Sequence, residues 1–213
     1  MARANEIAYE YIKKRIINGQ FRPAQRLVEA QLAADIPVSR NTVHKALLQL
    51  EQERLMVMET NKGATVLSLD VEEIQEYYEI RKSLEVIVVT SATTLISEVA
   101  LVKLHEILQE MKKLSASGRF DEYSKCNIVF HNIIYESSKK PVAVEMIKMI
   151  KNQLIRFQFR TMMVPGRSDS SLQEHEALFE AINNRDKEAA AIAISQHMDN
   201  VSATIEKYKE LYI

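Results

Sequence analysis

The chain has 213 residues, 46% apolar and 27% charged, an ordinary soluble globular balance with enough length for two modest domains with real cores. Its net charge of −1 divides unevenly: residues 1–68 hold ten Lys/Arg against seven Asp/Glu, whereas residues 69–213 hold eighteen against twenty-two. The basic part is small and N-terminal, which suits a local phosphate-binding face there. One cysteine, Cys126, excludes an intramolecular disulfide and fits a reducing compartment. No apolar stretch is long enough to span a bilayer and the first residues carry no signal-peptide run, so a cytoplasmic protein with no membrane partner is expected.

The four glycines and four prolines punctuate an otherwise helical pattern. A first helix is expected over about Ala4 to Asn18, with Ile7, Ala8, Tyr11, Ile12 and Ile16 inward. A second runs from Val28 to Ala34. A third begins after Ser39, a good N-cap, and ends near Glu53, with Val43, Ala46, Leu47 and Leu50 as its apolar face. Leu55–Met58 and Ala64–Leu67 flank a polar turn containing Gly63 and read as a β-hairpin. From Asp70 onward six helices are expected, at about 71–96, 98–115, 120–137, 141–163, 168–183 and 186–210. Asp70 is placed to cap the first, and Pro141 fits the first turn of the fourth.

Three short helices followed by a hairpin make a winged helix-turn-helix, whose third helix is the candidate reader of a DNA major groove. Its N-terminal face offers Ser39, Arg40, Asn41, Thr42, His44 and Lys45, which supply cations for phosphates and donors for base edges. Lys62 and Asn61, beside Gly63 at the wing tip, are placed to reach an adjacent groove or backbone. A solvated face of an unrelated helical bundle would carry similar residues, so composition alone leaves both readings open.

The motif narrows the choice. Phe21-Arg22-Pro23 with Leu27, Leu32-Ala33, Val38-Ser39-Arg40, Val43, Ala46-Leu47, Leu50, Leu55 and Gly63-Ala64-Thr65-Val66 together resemble the GntR family of bacterial transcription regulators. The resemblance implies a dimer on double-stranded operator DNA, with Arg40 contacting the duplex and Gly63 letting the wing backbone approach it. The chain departs from that pattern in places. Ala24 follows Pro23 where glycine is usual, and Arg54 stands where the reading helix normally ends in glycine. Asn41-Thr42 replaces the common Thr-Pro, and His44-Lys45 the common Arg-Glu.

The second part carries histidines where a core would want leucine. Asn127 and His131 share a helix face at i, i+4 spacing; His175 lies in a row with Leu172, Phe179 and Ile182; His197 lies in a row with Ala190, Ile194, Val201 and Ile205. Three imidazoles and an oxygen ligand suit a divalent transition metal such as zinc, nickel or manganese. Core histidines are also often satisfied by backbone or hydroxyl groups, and His105, without a matching partner, reads that way. An enzyme reading, a metal-dependent hydrolase or lyase, would need a positioned base. Glu174 and Glu176 flank His175 but point off its face by helical geometry.

Arg81 with Leu84-Glu85, Phe130-His131, Glu174-His175 with Ala181-Ile182, and His197 resemble the FCD-type helical ligand-binding domain of the FadR subgroup. Six helices rather than seven place the chain nearer its VanR-like branch. Many members of the subgroup hold a metal and an effector through Asp, His, His and His. The resemblance maps the histidines onto His131, His175 and His197, and the Asp onto Asn127. Asparagine brings no negative charge, so lower metal affinity and an anionic effector are expected. Arg81 would hold a carboxylate or pair with Glu85 at i+4. Arg156 and Arg160 form a cationic pair that lines a cavity or faces solvent, and Met146, Met149, Met162 and Met163 read as core or interface.

The expected protein is thus mainly α, with a winged helix-turn-helix over 1–68 and an antiparallel six-helix effector-binding and dimerisation bundle over 69–213. It would be a homodimeric regulator, a repressor, whose bundle binds a small organic acid through a divalent metal. The alternatives are the hydrolase or lyase, and a DNA-binding protein without an effector.

Overall fold

The computed structural model describes residues 2–59, 63–161 and 164–208, the side chains of residues 2, 3, 156 and 158–160 excepted. The chain divides into two compact units. The first takes the residues up to Asp70 and the stretch Lys151–Arg156; the second takes Val71–Ile150 and the residues from Phe157 on.

In the first unit the elements run α1 (Ala2–Ile17), β1 (Arg26–Leu27), α2 (Glu29–Asp35), α3 (Arg40–Gln52), β2 (Met56–Glu59) and β3 (Gly63–Val66). The wing is one strand richer than the sequence suggests. β3 is central, with β2 on one side at Met56↔Val66 to Glu59↔Gly63 and β1 on the other at Arg26↔Thr65 and Leu27↔Ala64. Two residues are too few to show strand alternation, so β1 exists through its partner's hydrogen bonds rather than its own pattern. Ile12, Ile16, Leu27, Leu32, Val43, Leu47, Leu50, Met56 and Val66 close one core. Each fully buried aliphatic side chain there contributes about 1.5–3 kcal/mol.

The stripe on α1 differs from expectation at two positions. Ile7 is exposed and Tyr9 is buried in its place. Tyr9 is amphipathic: its ring packs while its hydroxyl donates to Glu53 Oε1 at 2.5 Å, beside Lys13, which reaches Glu53 Oε2 at 2.8 Å.

Among the described residues the second unit is built from six helices: α4 (Val71–Leu95), α5 (Glu98–Ala116), α6 (Phe120–Ser137), α7 (Pro141–Thr161, apart from its stretch Lys151–Arg156), α8 (Arg167–Asn183) and α9 (Lys187–Lys207). Ser97 caps α5 by accepting from Ala100 N at 3.2 Å, and Asp186 caps α9 by accepting from Ala189 N at 2.9 Å. Pro141 opens α7 at the first turn, where its missing N–H costs nothing. Helix α4 packs on α9, α5 on α6 and α8, and α8 on α9. Val88, Leu104, Met111, Phe130, Ile134, Ile147, Leu178, Ile182 and Ile194 fill the core. His105 is a correction to the expected core histidine: it lies on the exposed side of α5, its ring 5.2 Å from that of Phe179. Met146 and Met149 are exposed rather than core, while Met162 and Met163 fall outside the described residues.

Candidate DNA interface and buried histidine centre

Helix α3 starts where Ser39, in extended conformation, turns its hydroxyl back to accept from Thr42 N at 3.1 Å. The Ser39 and Thr42 hydroxyls also meet at 2.8 Å, so both side chains are committed to the helix start. Arg40, Asn41 and Lys45 project into solvent, and His44 is half-buried. The His44 Nδ1 lies 2.7 Å from Glu29 Oε1 on α2, a pairing that no reading of α3 alone contains. Gly63 has φ +91°, and a Cβ there would stand 2.9 Å from the Leu27 carbonyl oxygen. Its missing side chain is thus required by strand pairing inside the unit. Lys62, like Asn61, falls outside the described residues.

The two positions where glycine was expected keep a glycine-like backbone without glycine. Ala24 has φ +58° and Arg54 φ +54°, both left-handed. Arg54 N donates to Glu51 O at 2.8 Å and Leu55 N to Leu50 O at 3.0 Å, closing the end of α3 in the way a glycine would.

In the bundle, α6, α8 and α9 bring His131, His175 and His197 together. Each is buried, and one ring nitrogen from each lies within 4.8 Å of the others. His131 Nε2 and His175 Nε2 are 3.3 Å apart, and Asn127 Oδ1 lies 2.8 Å from His175 Nε2. Phe130 stands edge-on to His175 at 5.0 Å between ring centres and walls this side of the cluster.

The outer contacts decide which nitrogens face inward. His175 Nδ1 lies 2.5 Å from the Ser171 carbonyl, which only accepts, so that nitrogen carries the proton. Burial, and then His197, push the His175 imidazole down to about 3, so it is neutral at ordinary pH and its Nε2 is a bare acceptor. His197 Nδ1 lies 2.6 Å from Glu174 Oε2. Burial lowers the His197 imidazole, and Glu174 opposes this without overcoming it. His197 therefore donates Nδ1–H to the carboxylate and leaves Nε2 bare.

Glu174 corrects the expectation that it points off the histidine face. It is the anion of the site, with 9% of its side chain exposed, and it holds three residues through four hydrogen bonds. Arg167 reaches it in fork fashion, Nη1 to Oε1 at 3.2 Å and Nη2 to Oε2 at 2.9 Å; Asn200 Nδ2 donates to Oε1 at 2.8 Å; His197 takes Oε2. Burial alone would raise its carboxyl, but the donors from His197, Arg167 and Asn200 hold it below the usual carboxylate range. Arg167, Ser171, Glu174 and Asn200 were not legible as site residues.

Arg81 pairs with Glu85, as one of its two readings expected. Glu85 Oε1 accepts from Arg81 Nε at 3.1 Å and from the Tyr135 hydroxyl at 2.7 Å. Burial disfavours the guanidinium charge, yet Glu85 and the tyrosines Tyr135 and Tyr78 outweigh it and the pKa is raised. The side chains of Arg156 and Arg160 are outside the described set.

The donor set fits a divalent cation. A neutral His175 whose Nδ1–H is spent on Ser171 presents a lone pair toward Asn127 Oδ1 and His131 Nε2, and two acceptors at 2.8 Å repel unless something positive joins them. Either the Asn127 amide turns its Nδ2–H2 toward the ring, or a cation takes the space. Nitrogens sharing one ion at about 2.1 Å lie roughly 3–3.5 Å apart, a spacing that His131 and His175 already have. The Ser171 carbonyl and the Glu174 carboxylate are outer partners of the kind that would orient metal-binding imidazoles.

A winged reading head joined to a helical bundle with a polar, ligand-competent centre defines a ligand-responsive DNA-binding regulator. The chain belongs to the GntR family of bacterial regulatory proteins. That family's model matches residues 4–66, and the FCD domain model matches residues 76–200. It is therefore a DNA-binding transcription regulator with an FCD effector-binding domain, and the family is not one of enzymes; nothing found supports the hydrolase or lyase alternative. Similar chains include YdhC of Bacillus subtilis, an uncharacterised HTH-type transcriptional regulator, 31% identical over 90% of this chain and 86% of its own. The gluconate operon transcriptional repressor of B. subtilis is 28% identical over 94% of this chain and 84% of its own. Among solved structures, E. coli McbR/YncC superposes with a TM-score of 0.77 at 21% identity, covering 96% of this chain and 98% of that one, a likeness of fold. Among the described residues no helix is long and apolar enough to cross a membrane.

Proposed function

We propose that the protein is a cytoplasmic, homodimeric repressor whose bundle, residues 69–213, binds a small carboxylate on a divalent metal and thereby alters operator binding by the head, residues 1–68. The observation that carries the sensing half is the set of bare acceptors, His175 Nε2, His197 Nε2 and Asn127 Oδ1, gathered with His131 inside the bundle. His131, His175 and His197, with Asn127 as the oxygen ligand, would hold zinc, nickel or manganese. The bound ion would supply a positive centre for carboxylate oxygens. Asn127 adds no charge, so the ion keeps more of its own and favours an anion. Arg81 has five N–H donors, more than one carboxylate oxygen of Glu85 can accept, and it would bind the effector's second charge.

On the DNA side, the exposed Arg40, Asn41 and Lys45, with His44 and the capping pair Ser39 and Thr42, form the reading surface, and Lys62 and Gly63 the wing contact. Repression is favoured by the gluconate operon relative, which carries that description. Dimerisation is favoured by exposed apolar stripes on α4, at Ile80 and Ile87, and on α7, at Val142, Met146 and Met149. An effector that shifts operator affinity must bind the DNA-competent and incompetent states unequally. The test is operator binding by the full chain, on duplexes selected from a randomised pool, with and without added metal and a panel of small carboxylates. A metal-dependent change in affinity with one carboxylate supports the reading; affinity indifferent to every metal and acid overturns its sensing half.

A further inference from the structure

We propose that His44 reads a base edge in a sense that reverses with pH, because Glu29 fixes the proton on its other ring nitrogen. The inference rests on the reading of α3 as the DNA-contacting helix. His44 stands one turn beyond Arg40 on that helix, with 44% of its side chain exposed, and its Nδ1 lies 2.7 Å from Glu29 Oε1. A carboxylate only accepts, so Nδ1 carries hydrogen whether the ring is neutral or cationic. All of the change on titration then falls on Nε2. It is a bare acceptor in the neutral ring and an N–H donor in the imidazolium.

The two states suit different bases. In the major groove adenine N6 and cytosine N4 offer hydrogens, which a bare Nε2 accepts; guanine N7 and O6 offer lone pairs, to which a protonated Nε2 donates. Histidine is the side chain whose ordinary titration falls within the physiological pH range. An arginine here would donate at every pH.

The charged groups around the ring come from each element that borders it. They are Glu29 from α2, Glu59 from β2, Arg40 from α3 and Arg26 from β1. Together with His44 they line one open depression of about 550 Å³. Helix α1, which also packs on α3, engages its own Tyr9 and Lys13 with Glu53 at the far end. The Glu29 contact keeps the ring's orientation, and the exposed side leaves Nε2 facing solvent or a duplex.

The experiment is selection from a randomised DNA duplex pool by the full-length protein at about pH 6 and pH 8, repeated with His44→Arg and Glu29→Gln. Melting curves at both pH values confine the comparison to folded protein. The expected result is one position per half-site that prefers an amino-bearing edge, adenine or cytosine, at the higher pH. At the lower pH it turns to guanine by about fivefold or more, the size of a typical single base-pair discrimination. His44→Arg should select guanine at that position at both pH values. Glu29→Gln should blur the preference at the higher pH, because an amide can donate to Nδ1 as well as accept from it. A sequence selected identically at both pH values overturns the inference and leaves the DNA-reading assignment standing. So does a pH-dependent position that His44→Arg does not lock. No sequence enriched by the unmodified protein at either pH removes the DNA-reading assignment and the inference with it.

Discussion

The reading head and the bundle both set polar side chains on helices, but under opposite physical terms. On α3, Arg40, Asn41 and Lys45 stand in water, where losing a neighbour costs little and substitution is cheap. In the bundle, Glu174 holds the buried Arg167 and His197 and the half-buried Asn200, where little water reaches the charged pair. Solvent makes the first set adjustable, so sequence there can change at little stability cost. Desolvation makes the second set a unit, in which each group is defined by the others. Four of the departures from the family pattern, Asn41, Thr42, His44 and Lys45, lie on the first turns of α3, while two others, Ala24 and Arg54, hold left-handed backbone elsewhere in the head. Asn127, the one departure among the centre's expected ligands, replaces a carboxylate with an isosteric amide.

The comparison breaks first if the buried set is removable. Glu174→Ala should leave Arg167 as an uncompensated buried cation and destabilise the protein by about 3–5 kcal/mol. Thermal denaturation followed by circular dichroism would show a drop of roughly ten degrees for a chain of this size. An unchanged melting temperature would mean that the network is ornamental.

Acid should act on the bundle before the head. The folded-state pKa of His175 is depressed to about 3, below the ordinary value of the unfolded chain, so the unfolded state binds the proton first. Its contribution is complete above about pH 6.5 and is lost progressively as pH falls toward 3. Glu174, also held low, loses its contribution further into acid, as pH falls through its folded value. Melting curves of metal-free protein should therefore decline below about pH 6.5, and His175→Gln should flatten that decline.

Backbone strain separates positions within the head itself. Gly63→Ala puts a Cβ 2.9 Å from the Leu27 carbonyl oxygen at φ +91° and should cost about 1–3 kcal/mol. Arg54→Gly relieves a left-handed arginine and should stabilise by about 1 kcal/mol. Both are read from denaturant titration midpoints. Arg40→Ala should be the mildest to stability, within about 0.5 kcal/mol, yet should weaken duplex binding at least tenfold by fluorescence anisotropy. A large stability loss there would place Arg40 in the fold rather than on the reading surface.

Periodicity made much of this molecule legible. The helix starts at α3 and α7 fell within a residue or so of those observed because Ser39 and Pro141 mark them with local chemistry. The histidine trio was legible because each ring takes an inward position on its own helix. Glu174 was not, because the helical wheel of α8 turns it about 100° from His175. What brings it inward is α9, whose His197 and Asn200 meet that flank, and packing between helices is invisible in the spacing of either one. His44 shows the same limit: its partner, Glu29, comes from another helix. His105 looked internal by type and is external by position, since an apolar neighbour such as Phe179 also shields a ring at the surface.

The most direct test of the account is metal content per chain, measured by mass spectrometry on protein purified without chelator or histidine tag, beside His131→Ala. The account expects about one divalent ion per chain, held by three histidines and one oxygen with a position left open for the effector, and its loss in the variant with the fold intact by circular dichroism. Metal-free protein that takes up no zinc, nickel or manganese on titration would contradict it, and would mean that the Asn127 amide closes the site by donating to His175.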